Sequence, residues 1–116
     1  MVAVLMALTI LTVDAGRLMA LRMAAQTAAD AAALAAAPAT FTGQDPVAEA
    51  ERWARSNGAQ LTSCRCPIDR RWRVRVVTVE VVIDGPPGPL GRGSVTGVSS
   101  AELDPAAWLR AGRPRV

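Results

Sequence analysis

The sequence predicts an α+β protein with a helix of unusual length at its N-terminus, a second, shorter helix and a small antiparallel sheet of about three strands. Three observations carry that prediction. Residues 1–13 hold no charge and pass without a break into an alanine-rich stretch that ends at Pro38. Two Asp-Pro pairs, Asp45-Pro46 and Asp104-Pro105, carry the residues of helix starts. After Gly58 the composition turns to valine and arginine, which suits strands. A chain of 116 residues has room for one domain.

The run MVAVLMALTILTV is the most apolar window of the chain, with Thr9 and Thr12 as its polar members. As a helix it covers ~20 Å, whereas a bilayer core of roughly 30 Å asks for about 20 residues. It reads as a buried core helix, as a signal peptide or as part of a membrane span. The signal reading is the weakest, because no basic residue precedes the run and helical composition continues beyond it. One helix over residues 1–37 is expected, ~55 Å long and projecting from the rest. Val4, Leu5, Leu8 and Leu11 form its apolar part, while Leu18, Leu21, Ala25, Ala28, Ala32 and Ala35 line a small-residue face suited to close helix packing. Arg22, Gln26 and Asp30 make a polar stripe four residues apart. Asp14 and Arg17 are spaced to pair, and their cost at a bilayer centre places them at the interface. The plainer alternative is an alanine-rich helix of a soluble bundle.

Pro38 is expected to end that helix, leaving residues 38–45 as a connector. The second helix, 46–56, has Asp45 as N-cap and Asn57-Gly58 as its stop, with Val47, Ala50, Trp53 and Ala54 on one face and Trp53 as core anchor. Strands are expected over 59–64, 71–83 and 94–103. In the second, Arg71, Arg73 and Arg75 alternate with Trp72, Val74 and Val76, yet Val77, Val79, Val81 and Ile83 continue on the arginine parity. A bulge near Val76 and Val77, or burial of both faces, would account for the shift. The stretch 84–93, with three prolines and four glycines, is a loop. A last helical turn follows Asp104, and the tail GRPRV is expected to be mobile. The division expected is thus 1–37, 38–45, 46–104 for a small α+β head, and 105–116 for a C-terminal turn and tail. Its core is expected from Trp53, Leu61, the valine strand and Trp108.

Composition narrows the function. Thirteen arginines oppose ten acids, and lysine, histidine and tyrosine are absent. Without histidine, catalytic triads and histidine-metal sites are excluded, and an enzyme is not expected. No catalytic residue, cofactor, metal or small-molecule substrate is assigned; Glu49 and Glu51 diverge on their helix and make no acid-base pair. Cys64 and Cys66, two apart, need a bend to bridge and are too few ligands for zinc. A disulfide and free thiols both remain open. The basic run RRWRVR, with Arg71, Arg73 and Arg75 around Trp72 after Arg70, resembles a patch for stacking on bases or anionic lipid. The solvated face of an edge strand is the favoured reading, and nucleic acid is disfavoured at a net charge of +3.

Residues 13–37, VDAGRLMALRMAAQTAADAAALAAA, resemble the N-terminal segment of the TadE/TadG-like proteins of Flp (Tad) pilus assembly. The matching positions are Asp14, Gly16, Arg17, Gln26, Ala28, Ala29, Asp30, Ala31, Ala32 and Leu34. The remainder is similar to small actinobacterial TadE-like proteins associated with helicase and secretion genes. The resemblance implies a pilin-like, non-enzymatic protein held in the cell membrane by one span, with its head outside the cytoplasm and in reach of the cell surface. Its implied partners are the lipid bilayer and other pilin-like subunits or assembly machinery met through the N-terminal helix. Relatives carry a charged, glycine-containing leader, so a further segment ahead of Met1 is expected. Such a leader, if basic, would also reverse the cytoplasmic placement that Arg17 and Arg22 favour by the positive-inside rule. The alternative from another class is a soluble basic module that binds nucleic acid through residues 70–75.

Overall fold

Alanine-rich sequence with one glycine and no proline before Pro38 propagates a helix with little to interrupt it. In a computed structural model, which describes residues 1–85 and 93–112, helix α1 runs over Val2–Thr42. The body of the expected proline-glycine loop, 86–92, and the tail, 113–116, lie outside the described residues. The molecule measures 66 × 31 × 19 Å, and the long dimension is that of α1 itself, about 61 Å at the helical rise. Helix α2 (Pro46–Ser56) packs on the second half of α1. Strands β1 (Gln60–Arg65), β2 (Arg75–Asp84) and β3 (Ser94–Leu103) form an antiparallel sheet in the order β1-β2-β3, and α3 (Pro105–Ala111) closes the described chain. The expected α+β class and its elements are present.

α1 does not stop at Ala37. Pro38 lies inside it, and the helix continues to Thr42, where Gly43 takes a left-handed φ of 84° and ends it. Proline forfeits the N–H that would reach the carbonyl of Leu34, but Leu34 is exposed, so that carbonyl lies on the water side. The following turn is held by burial of Ala39 and Thr40, and the Thr40 hydroxyl donates to the Ala37 carbonyl at 2.7 Å. The stretch 38–45 is therefore mostly helix, and the turn into α2 is only Gly43 to Asp45. Asp45 caps α2 by accepting from the amides of Val47 and Ala48, and Asp104 does the same for Ala106 and Ala107 at α3.

The core is made of small side chains. Ala28, Ala29, Ala32, Ala33, Ala36 and Ala37 follow the 3–4 spacing of one helix face and meet Ala50 and Ala54 of α2 and Val77, Val79 and Val81 of β2. Neither tryptophan anchors it: Trp53 is 44% and Trp108 is 41% exposed. A bulky indole would hold the helices apart, whereas paired alanines let backbones approach closely.

β2 begins four residues later than expected, and its pairing with β3 is unbroken from Arg75↔Leu103 to Asp84↔Ser94. No bulge is needed at Val76. Arg75 shares the inward face with Val77, Val79 and Val81, while Val74 and Val76 are exposed, so one parity holds throughout. The irregularity lies in β1, between Leu61 and Ser63. Thr62 is the extra residue, and its hydroxyl donates to the Glu80 carbonyl at 3.1 Å. The bulge turns both Leu61 and Cys64, three apart, toward the core.

Candidate functional site: the apolar stem and its junction with the head

Among the described residues, the first half of α1 up to Ala20 is left uncovered. Val4, Leu5, Leu8, Leu11 and Leu18 are 45–62% exposed, and every residue of 1–20 is exposed apart from a half-buried Asp14. An 18-residue window of this helix is apolar enough to cross a membrane and has none of its residues buried. A helix that is apolar all round matches lipid rather than water. Its two hydroxyls are turned onto the helix itself: Thr9 donates to the Leu5 carbonyl at 2.7 Å, and Thr12 to the Leu8 and Thr9 carbonyls at 3.1 and 2.8 Å. Neither hydroxyl donor is left for water to satisfy, as a low-dielectric surrounding requires.

Asp14 and Arg17 do not pair; the ion pairs among the described residues are Arg52–Glu49 and Arg73–Asp69. Both charges follow the apolar run, Asp14 about 10 Å and Arg17 about 6 Å along the helix before Leu21. Gly16 between them has open space around it, so no close approach among the described residues explains a glycine there.

The head starts at Leu21, whose Cδ1 lies 3.1 Å from the position a Cβ on Gly85 would take. One turn on, β3 crosses α1 so closely that a Cβ on Gly97 would fall 2.3 Å from the Ala25 carbonyl oxygen. Glycine inside a strand pattern signals such an approach, and that signal was available in the sequence. Gln26 then fastens the crossing, its Nε2 donating to the Val98 carbonyl and to Asp30 Oδ1, each at 3.0 Å. The polar stripe of Gln26 and Asp30 is thus a clip from helix to sheet, a partner that spacing along the helix could not reveal. Ala25, Ala28 and Ala32 are fully buried against the head of their own chain, so they leave no surface for the helix of another subunit.

At the far end of α1 the stretch after Pro67 folds onto the helix terminus. The Asp69 amide donates to the Thr40 carbonyl at 3.1 Å, and Trp72 meets Phe41 edge to face at 5.3 Å. Arg75 is 8% exposed, lies over the Phe41 ring and donates to the carbonyls of Asp69, Arg71 and Arg73. The Arg71 amide, followed by the guanidiniums of Arg73 and Arg75, holds the Asp69 carboxyl below the usual carboxylate range. Arg71, Arg73 and Arg75 are therefore not three alternating cations on one strand face: Arg71 and Arg73 precede the strand, and Arg75 points inward. Cys64 and Cys66 have Cα atoms 5.4 Å apart and sulfurs in disulfide contact, with the bend that spacing required supplied where β1 ends at Arg65.

The family model Tad, described as Flp pilus-assembly TadE/G-like, matches residues 1–40, which is α1 almost to its end and none of the sheet. No curated protein and no solved structure matches the chain. The match and the long apolar helix fit a component of Tad pilus assembly, a structural rather than catalytic family, and suggest a membrane-anchored protein.

Proposed function

We propose that this chain is a membrane-anchored, pilin-like structural or assembly component of a Flp/Tad-type pilus or a related secretion system. The observation that carries the reading is the division of labour along α1: its first thirteen residues are uncharged and exposed, and its second half carries the core of the head. One unbroken helix links lipid to head, so a displacement of the stem moves the head with it. Residues 1–13 sit in the bilayer, Asp14 and Arg17 lie in the headgroup layer, and the head from Leu21 onward stands in water. The head faces out of the cytoplasm, where a Cys64–Cys66 disulfide persists. The protein does no chemistry, and its partners are the bilayer and other subunits.

Topology tests this. Intact cells treated with an impermeant phosphine and then an impermeant maleimide should be labelled at Cys64 and Cys66. Labelling that requires permeabilised cells places the head in the cytoplasm and defeats the exported-head arrangement.

A further inference from the structure

Two surfaces of the head keep exposed side chains beyond the contacts given above, and they are opposite in charge. The first is a groove of about 290 Å³ between α1 and the outer edge of β3, lined by Asp30, Leu34, Ser99, Ser100, Ala101 and Glu102. Its two charged side chains are both acidic, neither forms an ion pair among the described residues, and Leu34 beside them is 68% exposed. The second is the segment 68–74, which has neither helix nor strand structure. Ile68, Trp72 and Val74 there are 57–66% exposed, and the guanidiniums of Arg70 and Arg71 form no ion pair among the described residues. The carbonyls of Asp69, Arg71 and Arg73 accept from Arg75, which ties this segment to β2 while its apolar side chains stay exposed.

We propose that these surfaces bind each other between copies of this chain, Arg70 and Arg71 of one against Asp30 and Glu102 of the next, with Trp72 on Leu34. The assignment deepens the pilin-like reading by naming a contact between heads. An acidic apolar groove and a basic apolar platform are complementary, and no single copy can bring its own two together. The platform is tied to the end of α1 at Thr40, while the groove lies six to ten residues earlier on the same helix, about 9–15 Å lower. The contact is therefore head-to-tail and does not close: each copy steps along the axis and presents a free groove and a free platform. Within one bilayer the stems sit at one depth, which opposes the step; out of lipid the step is permitted.

The full chain in detergent micelles should associate beyond dimers in analytical ultracentrifugation, and the association should weaken as salt rises from about 0.1 M to about 0.5 M. The double variant Arg70→Glu, Arg71→Glu and the single variant Glu102→Arg should each lose at least about tenfold in association while keeping the wild-type thermal melt. Mixed, the two variants should associate in pairs, because the unaltered basic platform of the Glu102→Arg chain meets the unaltered acidic groove of the other. Wild-type chains that stay monomeric, or charge-reversed variants that associate as wild type does, overturn the proposal. None of these positions lies on the stem, so membrane fractionation of the same variants reads the anchoring reading separately.

Discussion

Gly97 shows how much of this head rests on single side chains too small to notice. A methyl group there would overlap the Ala25 carbonyl, so Gly97→Ala must push β3 off α1 and strain the Gln26 clip to Val98. Urea unfolding should show a loss of about 3 kcal/mol, the upper part of the range for overpacking. Ala32→Leu should cost about 1–3 kcal/mol for the same reason, because Ala32 is in the core and not on an assembly surface. Asp69 gives a pH dependence. Its carboxyl is held below its ordinary value by the Arg71 amide and then by Arg73 and Arg75, so its contribution is complete above about pH 4 and is lost as pH falls through the depressed value. Asp69→Asn should therefore lower the melting temperature at neutral pH and converge with wild type in strong acid. The role of Arg75 was hidden from the sequence, since alternation gives the parity of a side chain but not the loop carbonyls it will meet.

Among the elements, those with a chemical start and stop were legible. α2 runs over Pro46–Ser56 as its Asp45 cap and Asn57-Gly58 stop require, and Ser94–Leu103 matches its expected span. Elements bounded by a single breaker were not. Pro38 reads as an end, yet it costs one hydrogen bond at an exposed carbonyl while the packed alanines on either side retain the helix. Pro38→Ala should then raise stability by about 1–3 kcal/mol in denaturant melts. The start of β2 was misplaced because RRWRVR has strand composition, while its Arg71 amide is held by the Asp69 carboxyl and Asp69 in turn by the Thr40 carbonyl. Asp45→Ala should cost about 1 kcal/mol, since α2 carries core residues Ala50 and Ala54. Asp104→Ala removes the same kind of cap but should only fray α3, whose one buried residue is Pro105; amide exchange localised to α3 would show it.

At the scale of the molecule, α1 is a single rod with two environments. Its alanines, which inflate the apolar composition, are largely the close-packed core of the head, and the larger aliphatic residues ahead of them are exposed among the described residues. Periodicity marked the helix and its apolar content, but which half would be covered depended on a sheet far away in sequence. The bare half is apolar enough to cross a membrane, and in the proposed arrangement Asp14 and Arg17 mark where it leaves lipid. The most direct test is carbonate extraction of membranes that carry the full chain. The wild-type protein should stay in the pellet, and a variant with Leu5→Asp, Leu8→Asp and Leu11→Asp should move to the supernatant with its head still folded. Wild-type protein released by carbonate would contradict the account, because α1 would then be a bare helix in water and not an anchor.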